Sequence, residues 1–307
     1  MGNDLLRVLR SPLLIYSRLS GMGMTSWVPD RIHLSLMYRA HLGKRLNLSN
    51  PQTYNEKLQW LKLYDRKHEY TQMADKYAAK QWVACAIGGQ YVIPALGKWK
   101  SANEINLQEL PNQFVLKTNH DSGGVVICRD KNSFDFEKAK KFLSKHLKSS
   151  YFPYGREWPY KNIEPCVFAE EYLSSESGGS DIPDFKILCF DGSPKYIELH
   201  QNRSTRHTQD WYDAAWNLLD INQDYAVCTG KEYPKPVLLD KMLELSSKLS
   251  CGIPHLRVDW FVSNGRLYLG ELTFFDGSGF VGFNSYKDDL MLGECIRLPN
   301  VGTGSGE

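Results

Sequence analysis

The chain has 307 residues, 42% hydrophobic and 23% charged, with a formal net charge of +2. That balance excludes a disordered or fibrous chain and leaves room for one large domain with an appendage, or two to three smaller ones. So slight a charge creates no global field for nucleic acid, and the aromatic residues are not interleaved with Lys and Arg, so no nucleic-acid partner is expected.

The opening stretch, LLRVLRSPLLIYSRLSG, carries Arg7, Arg10 and Arg18 among leucines, with no acid after Asp4. Arg10, Ser11 and Pro12 interrupt the apolar run and no small-residue cleavage site follows, so it does not read as a signal peptide. It is either a short helix packed on the body or a basic amphipathic segment over residues 5–19 that rests on an anionic membrane. No run approaches the roughly 18 apolar residues of a membrane span. Seven cysteines, an odd number without C-x-x-C, argue against a disulfide framework or zinc cage and favour a reducing compartment, the cytoplasm. The terminal GTGSGE reads as an appended linker and is set apart from the fold.

Residues 53–90 read as helical. TYNEKLQWLKLYDRK opens with Thr53 and has Glu56 three residues on, a capping-box pattern. ADKYAAKQWVACAIGG continues in helical composition and stops at Gly88 and Gly89. Strand-like runs follow at QYVIPAL, QFVLKTN, GVVICRD, CVFAEEYL, FKILCFDG and PKYIELH, with Asp191 and Gly192 as a hairpin turn. KPVLLDKMLELSSKLSCG is a further helix, ended by Gly252. RVDWFVSNGRLYLGELTFFDGSG then reads as an apolar hairpin that nonetheless carries Arg257, Asp259 and Glu271.

Register decides what that hairpin can do. A two-residue turn at Asn264 and Gly265 opposes Asp259 to Gly270 and splits the polar residues between faces. A three-residue loop of Ser263, Asn264 and Gly265 with a Gly bulge collects Arg257, Asp259, Phe261, Leu267, Leu269, Glu271 and Thr273 on one face. The other face is then continuously apolar, and because a one-residue slip moves every side chain across the sheet, the odd loop is expected. Two opposed carboxylates, with Cβ atoms about 4.5–5.5 Å apart, need a cation. A Mg²⁺ ion supplies one; an ion pair with Arg257 that merely holds the sheet is the alternative.

Upstream, FVLK ends in Lys117 and runs straight into TNHDSGGVV. A strand lysine before a Gly-containing loop suits a phosphate, with Gly123 and Gly124 letting backbone N–H groups approach; an ordinary hairpin turn has the same composition. No Walker A or dinucleotide fingerprint is present. CVFAEEYL ends in Glu170 and Glu171, either an adenine slot or a strand end at solvent.

A lysine strand, a Gly loop, an EEYL linker, then R-x-D and E-x-T on a late hairpin resemble the layout of ATP-grasp enzymes. NPQTYNEKLQWLKLYDR, ADKYAAKQWV, GGQYVIPALG, LPNQFVLKTNHDSGG and IPDFKILCFDG further resemble the TupA-like branch, which is named for teichuronopeptide biosynthesis and occurs in bacterial surface-polysaccharide loci. The similarity runs from about residue 30 to residue 300.

The resemblance implies an α+β ATP-grasp fold, two α+β lobes clasping ATP, preceded by a mainly helical N-terminal region. The corresponding divisions are residues 1–29, a basic segment; 30–105, the helical region; 106–172, the small lobe; 173–300, the large lobe; and 301–307, the tail. It implies ATP and Mg²⁺ as cofactors. Lys80 and Lys117 fall at the phosphate-contacting positions and Ser122, Gly123 and Gly124 in the covering loop. Glu170, Glu171, Tyr172 and Leu173 match the adenine linker and Asp184 the ribose position, with Lys186 two residues away on the same strand face. Asp259 and Glu271 match the magnesium ligands and Arg257 the arginine beside the reacting phosphate. Thr273 falls at the third metal position, where the usual residue is Asn.

The activity so implied is an ATP-dependent carboxylate–amine ligase that works through an acyl phosphate and joins an amino acid to a uronic-acid unit of a surface glycan. A sugar phosphotransferase or a glycosyltransferase using the same nucleotide site is the alternative. Arg203, Arg206 and His207 in the basic stretch HQNRSTRHTQDWYD are candidate substrate contacts, since arginine suits carboxylate or phosphate; His120 is a further candidate.

Overall fold

The computed structural model describes residues 12–174, 182–203, 205–224 and 227–300; residues 5–11 of the basic segment and the tail from residue 301 lie outside them. Five helices come first: α1 (Pro12–Gly21), α2 (Asp30–Leu42), α3 (Tyr54–Tyr64), α4 (Glu69–Ala74) and α5 (Ala78–Ile87). The start of α3 follows from its sequence. The Glu56 N–H donates to Thr53 Oγ1 at 3.3 Å and the Thr53 N–H to Glu56 Oε2 at 3.2 Å, which satisfies two donors that a helix end otherwise leaves open.

The first sheet contains β1 (Ala95–Trp99), β2 (Phe114–Thr118), β3 (Val125–Cys128) and β4 (Val167–Glu171), antiparallel in the order β1-β4-β2-β3. Helices α6 (Phe136–Leu147) and α7 (Phe152–Gly155) lie between β3 and β4 in the chain. Strand alternation puts Phe114, Leu116, Val167 and Ala169 on one face, buried with Leu143 of α6. The opposite face carries Lys117, Phe168 and Glu170. QYVIPAL is not a strand throughout: residues 89–91 form a 3₁₀ turn, Val92 bridges to Leu269, and pairing with β4 begins only at Ala95. That strand belongs to this sheet although the sequence divisions assigned it to the helical region.

The second sheet contains β5 (Asp184–Phe190), β6 (Ser193–Gln201), β7 (Thr208–Asp213), β8 (Leu218–Leu219), β9 (Leu256–Ser263) and β10 (Arg266–Thr273), in the order β10-β9-β5-β6-β7-β8. Asp191 and Gly192, both at positive φ, turn β5 into β6 as expected. Phe185, Ile187, Ile197, Leu199, Val258, Trp260 and Leu272 form the apolar face, covered by Leu239, Met242, Leu245 and Leu249 of α8 (Leu239–Ser250). Each such side chain contributes about 1.5–3 kcal/mol by leaving water. Trp260 Nε1 donates to Ser246 Oγ at 2.8 Å, so the indole brings no unpaired donor into the core. The last helix, α9 (Tyr286–Cys295), packs on α3, where Asp289 Oδ1 accepts from the Asn55 N–H at 3.0 Å.

The β9–β10 register corrects the expected loop. Asn264 (φ 50°) and Gly265 (φ 68°) make a two-residue turn, and Ser263 opposes Arg266. The extra residue lies inside β10 instead. Trp260 opposes Leu269, but Asp259 opposes Glu271, so Gly270 is a bulge. Beyond it, Arg257, Asp259, Glu271 and Thr273 share a face, as expected. Before it, Leu267 and Leu269 turn to the apolar side and Tyr268 joins Phe261. A side chain cannot readily replace the glycine hydrogen at 270, because an added Cβ would lie 2.7 Å from the Phe261 ring.

Candidate active site

The pleat that sends the apolar residues of the second sheet toward α8 sends the polar ones the other way. Asp184 and Lys186 of β5, Glu198 and His200 of β6, Arg257 and Asp259 of β9, and Glu271 and Thr273 of β10 all share that face. Arg257 is its centre. Its Nε and Nη2 hold Asp259 bidentately at 2.8 and 2.9 Å. Nη2 also reaches Thr273 Oγ1 at 3.1 Å and Glu271 Oε1 at 3.3 Å, while Nη1 donates to Asp276. Lys186 forms ion pairs with Asp259 and, at 3.1 Å, with Asp184. Burial alone would raise the Asp259 carboxyl, but Arg257 and Lys186 outweigh it and hold the group well below the usual carboxylate range.

The same face also holds Glu198, which the sequence did not single out. Asp184 is buried: Oδ2 accepts from Lys186 and, at 2.9 Å, from Arg203, while Oδ1 has no hydrogen-bond partner. Arg203 is half exposed and Arg206 is exposed. His207 Nε2 lies 2.7 Å from His200 Nδ1, and His200 Nε2 lies 3.0 Å from Glu198 Oε2. Burial pushes Glu198 up to about 7 against the pull of Arg257 and Lys186. Burial, reinforced by Lys186, pushes His200 down to about 2. The spacing of Glu198 and His200 on PKYIELH is the same signal that marks the hairpin, polar residues two apart in an apolar strand. Asp276 follows β10 in an irregular turn.

On the first sheet, Glu170 is the shared partner of two lysines. Lys117 pairs with Oε1, and Lys80 reaches Oε2 at 2.8 Å and the Ile93 carbonyl at 2.8 Å. Burial would raise Glu170, but the two cations more than offset it and lower its pKa. Burial lowers Lys80, partly countered by Glu170. The Glu170 carboxylate is therefore engaged by lysines, and the Glu171 N–H already donates to the Pro94 carbonyl at 3.1 Å. Glu171 itself is exposed; Tyr172, whose hydroxyl accepts from Arg129 at 3.4 Å, and Leu173 are half-buried.

The loop after β2 is closed by its own backbone. The Thr118 N–H donates to the Gly124 carbonyl at 2.8 Å and the Val125 N–H to the Gly123 carbonyl at 2.8 Å. Ser122 and Gly123 are exposed. Gly124 is required by close approach, since a Cβ there would meet Thr118 Oγ1 at 1.8 Å. His120 is buried against the Ser149 carbonyl, 3.0 Å from its Nε2, and its Nδ1 has no partner.

The two faces meet. A cavity between α4, α5 and the β10 bulge is lined by Ala74, Lys80, Val83, Val92, Gly270 and Glu271. Ser263 Oγ at the end of β9 donates to the Ser174 carbonyl just past β4 at 2.8 Å. Among the described residues, no group of three or more His, Cys, Asp and Glu side chains is arranged to hold a metal ion. The hard oxygens of Asp259, Glu271 and Thr273 instead converge on the Arg257 guanidinium, with Glu271 the most open of the carboxylates it binds.

Comparisons with known proteins bear on this arrangement. Among solved structures, N5-carboxyaminoimidazole synthetase from Staphylococcus aureus matches with 17% identity and a TM-score of 0.41, over 75% of this chain and 53% of that one. D-alanine–D-alanine ligase from Bacillus anthracis, complexed with ATP, matches with 17% identity and a TM-score of 0.38, over 66% of this chain and 55% of that one. D-alanine–D-alanine ligase from Helicobacter pylori matches with 18% identity and a TM-score of 0.41, over 80% and 69%. The chain thus spans little more than half the length of the first two. No curated protein matches. A family model described as TupA-like ATPgrasp matches residues 56–297, from α3 through both sheets to just beyond α9. The chain belongs to the TupA-like ATP-grasp family and has its α+β fold.

Proposed function

We propose that the chain is an ATP-dependent carboxylate–amine ligase acting in bacterial surface-polysaccharide biosynthesis, with an amino acid and a uronic-acid-bearing sugar as its small-molecule partners. The observation that supports this reading is that Lys80 and Glu271, at the expected phosphate and metal positions, line one cavity. Residues 106–172, joined by β1, form the small lobe in this reading, and residues 173–300 the large one.

Lys80 and Lys117 neutralise phosphate oxygens, and the exposed Ser122 and Gly123 of the loop close over them. Residues 170–173 border the adenine. The unpartnered Oδ1 of Asp184 accepts from a ribose hydroxyl, with Lys186 holding the other oxygen. The donor set of Asp259, Glu271 and Thr273 fits Mg²⁺, which is commonly held by one or two carboxylates plus substrate phosphates. When bound, that ion supplies Lewis-acid neutralisation of the phosphates.

Arg257 stabilises charge as a substrate carboxylate oxygen attacks the γ-phosphorus and ADP leaves. An amine then attacks the acyl phosphate, the C–O bond breaks, and phosphate and a proton depart as the amide forms. Arg203, Arg206 and His207 lie toward the acceptor. The test is purified protein with ATP, Mg²⁺, a uronic-acid donor and amino acids. Amide with ADP supports the ligase, whereas a phosphorylated sugar establishes the phosphotransferase and a glycoside the glycosyltransferase. Failure to bind ATP, with Lys117→Ala and Glu271→Ala indistinguishable from the parent, overturns the nucleotide site itself.

A further inference from the structure

The α1–α2 unit is remote in sequence from the lysines and carboxylates above, and its exposed surface is unusual. Of the twelve large apolar side chains exposed among the described residues, five lie here: Ile15, Met22, Met24, Trp27 and Ile32. Trp27 is 83% exposed and Met22 73%. Lone exposed apolar residues need no explanation, but a concentration of them marks an interaction surface.

The turn that presents them is firmly built. The Met24 N–H donates to the Leu19 carbonyl at 3.0 Å, the Gly23 N–H to Ser20 at 2.8 Å and the Val28 N–H to Thr25 at 3.0 Å. From inside, the buried Arg156 donates through Nη2 to the Thr25 carbonyl at 2.8 Å and the Val28 carbonyl at 3.3 Å. Ser20 Oγ holds the Pro153 carbonyl at 3.2 Å, and His33 bridges the Tyr16 hydroxyl at 2.9 Å and the Tyr154 carbonyl at 3.0 Å. The inner faces of both helices are thus fixed by hydrogen bonds, and the apolar side chains project outward from an anchored turn.

Charge selects the partner. From Leu5 to Pro29 the sequence contains Arg7, Arg10 and Arg18 and no acid. Arg18 lies between Ile15 and Met22 on the exposed face of α1, and Arg31 is exposed beside Ile32. The first acid, Asp30, is engaged by Arg66 at 2.7 Å and Arg156 at 3.2 Å. A second copy of the chain docking through this patch would set arginines against arginines across a two-fold axis. An anionic lipid surface instead takes apolar side chains and Trp into its interface and pairs the arginines with headgroups.

We propose that the α1–α2 turn, through Trp27, Met24 and Met22 with Arg18 and Arg31 at its flanks, is a docking surface for an anionic lipid bilayer. This surface differs from the residue 5–19 segment that the sequence offers as one of two readings; in the described part of that segment Ser17 packs against His41. None of the described helices is long and apolar enough to cross a membrane, so the contact is peripheral. The inference stands apart from the ligase reading and is tested without catalysis.

The full chain is sedimented with vesicles of phosphatidylcholine and phosphatidylglycerol in equal parts, and with phosphatidylcholine alone. The parent is expected to partition onto the anionic vesicles only, and Trp27→Ser/Met24→Ser to lose about tenfold or more in partitioning with an unchanged melting temperature. Arg18→Glu is expected to weaken binding and remove its salt dependence. No binding by the parent, equal binding by the double variant, or loss only on removing residues 2–11 overturns the proposal. So does a lipid-indifferent dimer that Trp27→Ser dissociates, because the surface then belongs to a second copy.

Discussion

The polar faces of the two sheets are built from the same residue types in opposite proportion. On the first sheet, Lys80 and Lys117 surround one carboxylate, Glu170. On the second, Arg257 and Lys186, with Arg203 at the rim, stand among Asp184, Glu198, Asp259, Glu271 and Asp276. Neither face balances its own charge. The first has a surplus of cations and the second a surplus of carboxylates, which in the proposed reading meet phosphate and Mg²⁺ respectively. The centre of the second cluster, Arg257 with Asp259 and Lys186, is more deeply buried than Lys80 and Lys117 of the first.

The strongest way to break this comparison is at Arg257. Arg257→Met leaves Asp259 with Lys186 alone and Asp276 without its guanidinium, and is expected to cost about 3–5 kcal/mol in denaturant unfolding. Lys117→Met leaves Glu170 with Lys80 and is expected to cost about 1–2 kcal/mol, while nucleotide affinity falls. Equal losses at the two sites would mean the two faces do not divide the work.

A smaller effect is expected at the bulge. Gly270→Ala brings a Cβ against the Phe261 ring, and an overpacked site of this kind typically costs about 1–3 kcal/mol. The same change should weaken Mg²⁺-dependent nucleotide binding, since the bulge sets the face on which Glu271 emerges. Titration calorimetry that finds binding unchanged would detach the bulge from the site.

The smallest effect is a pH slope. Glu198 is raised by burial to about 7 in the folded chain, despite Arg257 and Lys186, from an ordinary value of 4.5. Its contribution to stability is full below 4.5 and is lost as pH rises through about 7, because the native state then binds more protons than the unfolded one. Glu198→Gln should flatten stability across that window, as read by melting temperature in steps of pH. A parallel decline in parent and variant would assign the slope to another group.

Much of this arrangement was legible in the chain itself. Thr53 and Glu56 announced the start of α3, and the i, i+2 spacing of Arg257 with Asp259 and of Glu271 with Thr273 put those pairs on common faces. The position of the bulge was not legible. Alternation shows that one extra residue must be absorbed, but both Gly265 and Gly270 can absorb it, and only packing against Phe261 and Asp259 selects Gly270. The partners of Glu170 were equally hidden: Lys80 lies 90 positions away, and its approach depends on where α5 settles against β4. The exposed α1–α2 turn was missed because a run of Met, Trp and Leu reads the same in sequence whether the body covers it or not.

Arg156 and Glu157 are neighbours in the chain with opposite attachments. Arg156, in a left-handed conformation at φ 52°, grips the carbonyls of the α1–α2 turn, while Glu157 accepts from Ser278, two residues past the Asp276 that binds Arg257. One peptide unit thus ties the exposed turn to the arginine cluster through buried hydrogen bonds at both ends. With the turn seated among headgroups, the cluster stands at a set height above them, like a gauge block on a surface plate.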